Sequence, residues 1–74
     1  MKQLGTKVQY FGIEIVIQYP YVATDENGLI NNFERKPKPI RCYFTADGEE
    51  VEITKADLEG MDWKDTLVKF KLEK

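Results

Sequence analysis

The chain contains no histidine and one cysteine, Cys42, in 74 residues. A lone cysteine excludes an intramolecular disulfide, and without histidine beside it a zinc site is not expected; this usage fits a reducing compartment. No apolar run approaches the roughly 20 residues that span a bilayer. The opening MKQLGTK lacks the apolar stretch of a signal peptide. The cytoplasm is therefore the expected location. The length allows one domain, residues 1–74, that buries only about 60% of the surface exposed by its unfolded chain. Its core is thin, and no large substrate cavity is expected beside it.

Catalytic patterns are missing as well. Neither GxSxG nor GxxxxGK[ST] occurs, and Cys42, between Arg41 and Tyr43, has no partner base, so it reads as a small core or half-buried residue. Asp62 with Asp65, and Glu50 with Glu52, are nominal carboxylate pairs. The first pair is explained by helix capping and the second by a solvated strand face. Asp25-Glu26-Asn27-Gly28 lacks the twelve-residue spacing of an EF-hand loop and reads as turn chemistry. The sequence predicts no enzyme, no cofactor and no metal site.

What the chain does have is segregated charge. Residues 25–46 carry Arg35, Lys36, Lys38 and Arg41 against Asp25, Glu26 and Glu34, a net of +1. Residues 47–66 carry eight acids against Lys55 and Lys64, a net of -6. Such a field orients a macromolecular partner, while the overall net charge of -2 opposes bulk attraction to DNA or anionic lipid.

Period-two patterning dominates the rest. Ile13, Ile15, Ile17 and Tyr19 alternate with Glu14, Val16 and Gln18, which predicts a strand with one face on a core. Val8 to Phe11 extends this strand or forms a preceding one, with Gly12 as a bulge or bend. Asp25-Glu26-Asn27-Gly28 predicts a hairpin between Tyr21–Thr24 and Leu29–Phe33. In the second of these strands Asn31 and Asn32 leave neither face cleanly apolar, so it is assigned to an edge. Lys36-Pro37-Lys38-Pro39 reads as a stiff basic connection that cannot continue a central ladder. Ile40–Thr45 and Val51–Ile53 are expected to pair across an Ala46-Asp47-Gly48-Glu49 turn. Asp57–Met61 suggests a short turn, and Asp62-Trp63-Lys64-Asp65 a helix start. Val68, Phe70 and Leu72 then alternate with Lys69 and Lys71 as a last strand, a helix through Val68 being the rival. The fold class is mostly β: a small antiparallel rolled sheet or barrel of five or six short strands with one helical turn near residues 62–67.

Nine aromatics are more than a short core hides, so some must lie at the surface. Tyr19 or Tyr21, beside Pro20, and Tyr43, two residues from Arg41, are the best outward candidates, with Trp63 as a core plug. The basic stretch from Arg35 to Arg41, flanked by Tyr43, combines cations for phosphate with an aromatic face for bases. The candidate interaction residues are Tyr21, Arg35, Lys36, Lys38, Arg41, Tyr43, Glu49, Glu50 and Glu52.

Tyr21-Val22-Ala23-Thr24-Asp25-Glu26-Asn27-Gly28, followed by a Glu-rich or basic stretch with proline and by Asp57-Leu58-Glu59-Gly60-Met61-Asp62-Trp63-Lys64-Asp65-Thr66-Leu67, resembles short uncharacterised proteins of tailed phages. Those carry a Val-Ala-acid hairpin closed by glycine and a C-terminal Asp-Trp-Lys-acid-Ser/Thr-Leu element. Here Asn31-Asn32 stands where they are usually aromatic, and the chain continues through Lys69 to Lys74. The resemblance implies an accessory protein in the host cytoplasm that acts on a host factor or another phage protein, and it brings no catalytic residues. The expected function is a non-enzymatic protein-protein interaction module that binds or inhibits a host factor. The alternatives are a small nucleic-acid-binding protein using residues 35–41, and a structural or oligomer-forming subunit that pairs through an edge at Leu29–Phe33.

Overall fold

A computed structural model describes residues 5–58 and 60–72. The fold is mostly β, with eight short strands in antiparallel pairs and a single 3-10 turn among the described residues. Strands β1 (Thr6–Tyr10) and β2 (Ile13–Ile17) form a hairpin. Phe11 and Gly12, both at positive φ (49° and 81°), make its two-residue turn. That geometry matches the right-handed twist of the strands and suits glycine at the second position. Gly12 is thus the corner between two strands.

Strands β3 (Tyr21–Thr24), β4 (Leu29–Phe33), β7 (Glu50–Lys55) and β8 (Val68–Lys69) form a four-stranded sheet in the order β7-β4-β3-β8. Strands β5 (Lys38–Ile40) and β6 (Tyr43–Thr45) form a further hairpin, and Trp63–Asp65 is the 3-10 turn. The sheet is packed on both faces. On one, Tyr10, Ile15 and Ile17 of the first hairpin meet Val22 and Ile30, with Ile53, Val68 and Phe70 around them. On the other, Ala23 and Phe33 meet Phe44, with Tyr21, Trp63 and Leu67 at the rim. The alternation in β3 and β4 divides the core in this way: Val22 and Ile30 point to one hairpin, Ala23 and Phe33 to the other. Each large side chain fully removed from water contributes about 1.5–3 kcal/mol.

Several sequence expectations hold. Ile15 and Ile17 are buried while Glu14, Val16 and Gln18 are exposed. The hairpin at Asp25–Gly28 forms, with Gly28 at φ 90° and its N–H donating to Asp25 O at 2.9 Å. A Cβ at Gly28 would lie 2.6 Å from Ala56 O, so the position is closed to other residues. The Asp62 side chain caps the 3-10 turn by accepting from Lys64 N at 3.1 Å. Met61 N–H donates to Leu58 O, closing the short turn expected there. Glu59 within that turn, and Met1–Leu4 of the N-terminal segment, lie outside the described residues. After the turn the chain resumes a strand. No helix among the described residues is long and apolar enough to cross a membrane.

Other expectations are corrected. Strand β4 is interior rather than an edge, with pairs on both sides, so the proposed two-fold edge at Leu29–Phe33 is already occupied. The reason is chemical. The buried Asn32 amide accepts from Gln18 N and Tyr19 N at 2.7 and 2.9 Å and donates to Tyr19 O and Tyr21 O at 2.8 Å each. A fully bonded amide can be buried at low cost, and this one pins the Pro20 corner to the sheet. The expected pairing of Ile40–Thr45 with Val51–Ile53 is absent. Instead Ile40 lies opposite Tyr43 across an Arg41-Cys42 turn, and β7 pairs with β4. Pro39 is tolerated within a ladder because both strands of this ribbon are edges, where a missing N–H can face solvent. Cys42 consequently lies exposed in the turn, not in the core.

Thr66, 1% exposed, completes the far side of the sheet. Val22 lies opposite Val68, so Thr24 falls opposite Thr66 in the same register. There the Thr66 hydroxyl replaces backbone: it accepts from Thr24 N at 2.9 Å and has Trp63 O (2.7 Å) and Thr24 O (3.2 Å) as acceptors. The Tyr10 hydroxyl donates to Thr66 O at 2.8 Å and meets Thr24 Oγ1 at 2.7 Å. Burial raises the Tyr10 pKa above the ordinary phenol value, against the opposing effect of these hydrogen bonds.

Candidate functional site

The face of the sheet that carries Phe33 and Asn31 also carries Glu50 and Glu52, because these residues lie directly opposite one another in the β4–β7 ladder. A register shift follows: Asn31 pairs with Glu52 but Ile30 with Thr54, leaving Ile53 as an extra residue in β7. The bulge returns Lys55 to the face of Glu50 and Glu52, opposite Leu29. Above this face sits the tip of the β5–β6 hairpin, with Tyr43 43% exposed.

Asp25 fixes that tip in place. Its Oδ1 accepts from Phe44 N at 2.9 Å and its Oδ2 from Asn31 Nδ2 at 3.3 Å, while Glu26 N–H donates to Cys42 O at 3.0 Å. Partial burial raises the Asp25 pKa above the usual carboxylate value, with the hydrogen bonds from the Phe44 backbone N–H and the Asn31 side chain pulling the other way. The result is a groove of about 550 Å³ between β6 and β7, lined by Asp25, Leu29, Asn31, Tyr43, Glu50 and Glu52, among others. Among the described residues the only ion pair is Lys7 Nζ to Glu14 Oε2, at 3.6 Å. Glu50 and Glu52 therefore face the groove without an ion pair to any described residue. No three histidine, cysteine or acidic side chains among the described residues are grouped so as to hold a metal ion.

The remaining candidates lie elsewhere. Arg35, Lys36 and Lys38 gather around a separate groove of about 340 Å³ with Thr45, Ala46 and Asp47. Arg41 occupies the hairpin turn at φ 58° and lines neither groove. Glu49 pairs with Glu34: Glu34 N–H donates to Glu49 O at 3.0 Å, and Glu49 N–H to Glu34 Oε1 at 3.2 Å. Tyr21 is half-buried against the second core cluster, with Lys69 Nζ 5.8 Å from its ring centroid. The charge segregation of the sequence is thus only partly kept in space, since Asp47 joins the cationic groove.

Two features escape sequence reasoning. Asp25 and Leu29 join the acidic groove through a contact that spans 19 residues, from Asp25 to Phe44, and has no local signature. A third groove, of about 420 Å³, lies between the β3–β4 turn and the segment after β7, with Glu26, Asp57, Leu58, Met61 and Trp63 in its walls. The spacing of Leu58, Met61 and Trp63 was its one available signal. Comparison with protein-family models, with curated proteins and with solved structures finds no match for the chain.

Proposed function

We propose that this protein is a non-enzymatic protein-interaction module whose contact surface is the groove between β6 and β7, with a host or phage protein as its partner. The observation that carries this reading is the exposed Tyr43 ring above Glu50 and Glu52, neither of which forms an ion pair with a described residue. An aromatic with a polar tip supplies contact area, and the free carboxylates supply orientation and partner choice. The thin core and the bonded roles of Asp25 and Asn31 leave this surface suited to contact rather than to chemical transformation. The resemblance of the Tyr21–Gly28 and Asp62–Leu67 segments to tailed-phage proteins supports a host factor as the target.

The test compares partner capture from host lysate by the native chain, by Tyr43→Ala and by Lys36→Glu. The expected result is one retained protein whose affinity falls at least tenfold with Tyr43→Ala and is unchanged by Lys36→Glu; tenfold corresponds to about 1.4 kcal/mol. Absence of any partner at micromolar concentration, or capture indifferent to Tyr43→Ala, overturns the reading.

A second reading is favoured by one observation, the gathering of Arg35, Lys36 and Lys38 around a single groove. It makes the protein a nucleic-acid binder. Asp47 in that groove and the position of Tyr43 on a different one weigh against it. Steeply salt-dependent binding of single-stranded probes, weakened by Lys36→Glu, would establish it instead.

A further inference from the structure

We infer that the outer edge of β7 takes up an extended segment of the partner protein as an added strand, and that this segment places cationic side chains opposite Glu50 and Glu52. The inference rests on the contact surface proposed above and specifies what occupies it.

The central sheet ends differently on its two sides. Beyond β3, the edge is closed by β8 and, one register step further, by the Thr66 hydroxyl. Beyond β4 comes β7, the longest strand at six residues, and no described residue pairs with its outer side. The direction of its backbone groups follows from the bonds at its ends. Glu34 N–H reaches Glu49 O, and Ala56 N–H reaches Gly28 O, so Glu49 and Ala56 point toward β4. Alternation from each end, with Ile53 as the extra residue of the bulge, leaves Glu50, Glu52 and Lys55 with N–H and C=O directed outward. These same three residues carry their side chains on the Tyr43 face. An added strand would therefore bond to their backbone, and its own side chains opposite them would stand at the acidic groove.

Charge decides the occupant. In the register that pairs all three outward residues, two copies of β7 related by a two-fold would match Glu50 with Lys55 at each end but set Glu52 directly against Glu52 at the centre. Like charges in directly opposed positions destabilise a ladder. A partner strand with lysine or arginine opposite Glu50 and Glu52, and an acid opposite Lys55, has no such conflict. Running antiparallel, it reads acid-x-cation-x-cation.

The probe is the blocked peptide Val-Glu-Val-Lys-Thr-Lys-Val, titrated into the full chain and followed by amide exchange and chemical shift. Saturation is expected to slow exchange at Glu50, Glu52 and Lys55 by tenfold or more. Methylating the two lysine amides of the peptide should weaken binding at least tenfold, and Glu52→Lys should reverse the preference between this peptide and its counterpart with glutamate for lysine. If the methylated peptide binds as tightly as the parent while Tyr43→Ala still weakens both, strand addition is refuted and the groove reading stands. If no peptide binds but Tyr43-dependent partner capture persists, strand addition again fails alone. If the three amides gain protection with protein concentration in the absence of peptide, the edge pairs with its own copy and the inference is overturned.

Discussion

Asn32 is the polar residue on which the central sheet most depends, and its replacement gives a test with a worked magnitude. The amide makes four hydrogen bonds to the backbone of Gln18, Tyr19 and Tyr21, across 11 to 14 residues of sequence. In Asn32→Leu the volume is nearly kept and all four are lost. A net contribution of roughly 1 kcal/mol per bond gives an upper figure of about 4 kcal/mol. Gln18 is exposed, so water can recover part of its share. The expected loss is about 2–4 kcal/mol, against a total of roughly 4–11 kcal/mol for a domain of this size. Urea unfolding at neutral pH measures it, as a fall in midpoint with unchanged slope.

Asn32→Asp sharpens the argument. One carboxylate oxygen keeps the bonds from Gln18 and Tyr19, but the other faces Tyr19 O and Tyr21 O, which the native amide approaches to 2.8 Å. An anion in that position is repelled by both carbonyls and its pKa in the folded state rises above the unfolded value. Its protonated form donates to one of them. The folded state then binds the proton more tightly than the unfolded chain, so the variant's deficit relative to the native protein must shrink as pH falls through the raised value. A deficit below about 0.5 kcal/mol for Asn32→Leu, the size of an ordinary surface substitution, would refute the role given to Asn32. So would a deficit for Asn32→Asp that does not change with pH.

Thr66→Val keeps the shape of a side chain that stands in for strand backbone but removes its hydroxyl; a loss of about 2–3 kcal/mol is expected, with faster amide exchange at Thr24 as the local readout. Tyr10→Phe should cost about 1–2 kcal/mol at neutral pH. Because burial raises the phenol pKa in the folded state, the stability it confers is intact below the ordinary phenol value and is lost as pH rises above it; unfolding midpoints measured at neutral and alkaline pH should therefore fall less for the variant. The Cys42 thiol lies in an exposed turn, so an aromatic disulfide reagent should titrate one equivalent in the native state without denaturant and leave the thermal midpoint unchanged. A reaction that requires unfolding would contradict the exposed turn.

The strand at Ile13–Ile17 and the Asp25–Gly28 hairpin were legible because their determinants are local: side-chain alternation in one, a turn-forming Asp and Gly in the other. The capped turn at Asp62 was legible for the same reason. Strand β4 reads as an edge in the sequence because Asn31 and Asn32 look like solvent-facing residues when their partners are unknown. Those partners, Asp25 for Asn31 and the Gln18–Tyr21 backbone for Asn32, are fixed only by the tertiary fold. The Lys-Pro segment reads as a connection because proline cannot continue a central ladder, whereas β5 belongs to a two-stranded ribbon in which Pro39 costs no ladder bond. Of the candidate site, Tyr43, Glu50 and Glu52 come together as one surface, while the cations nominated with them collect on another.

The two ends of the sheet are finished by opposite means, and this bears on where a partner can act. On the β3 side, a strand of only two residues suffices because Thr66 continues its bonding with a side chain, locked in turn by Tyr10 and Trp63. Opening that side breaks a buried network that joins the first hairpin, β3 and the 3-10 turn, so it is coupled to unfolding of the whole. On the β7 side, five of six residues are exposed and Ile53 alone is half-buried. Little apolar burial holds this strand beyond its ladder to β4, and local opening there costs less than global unfolding. A ligand strand on the outer edge would add bonds to the strand least secured by packing. The carboxylates of Glu50 and Glu52 then have two effects at one place: they discourage pairing with another copy of the same edge, and they favour a cationic segment over a neutral one.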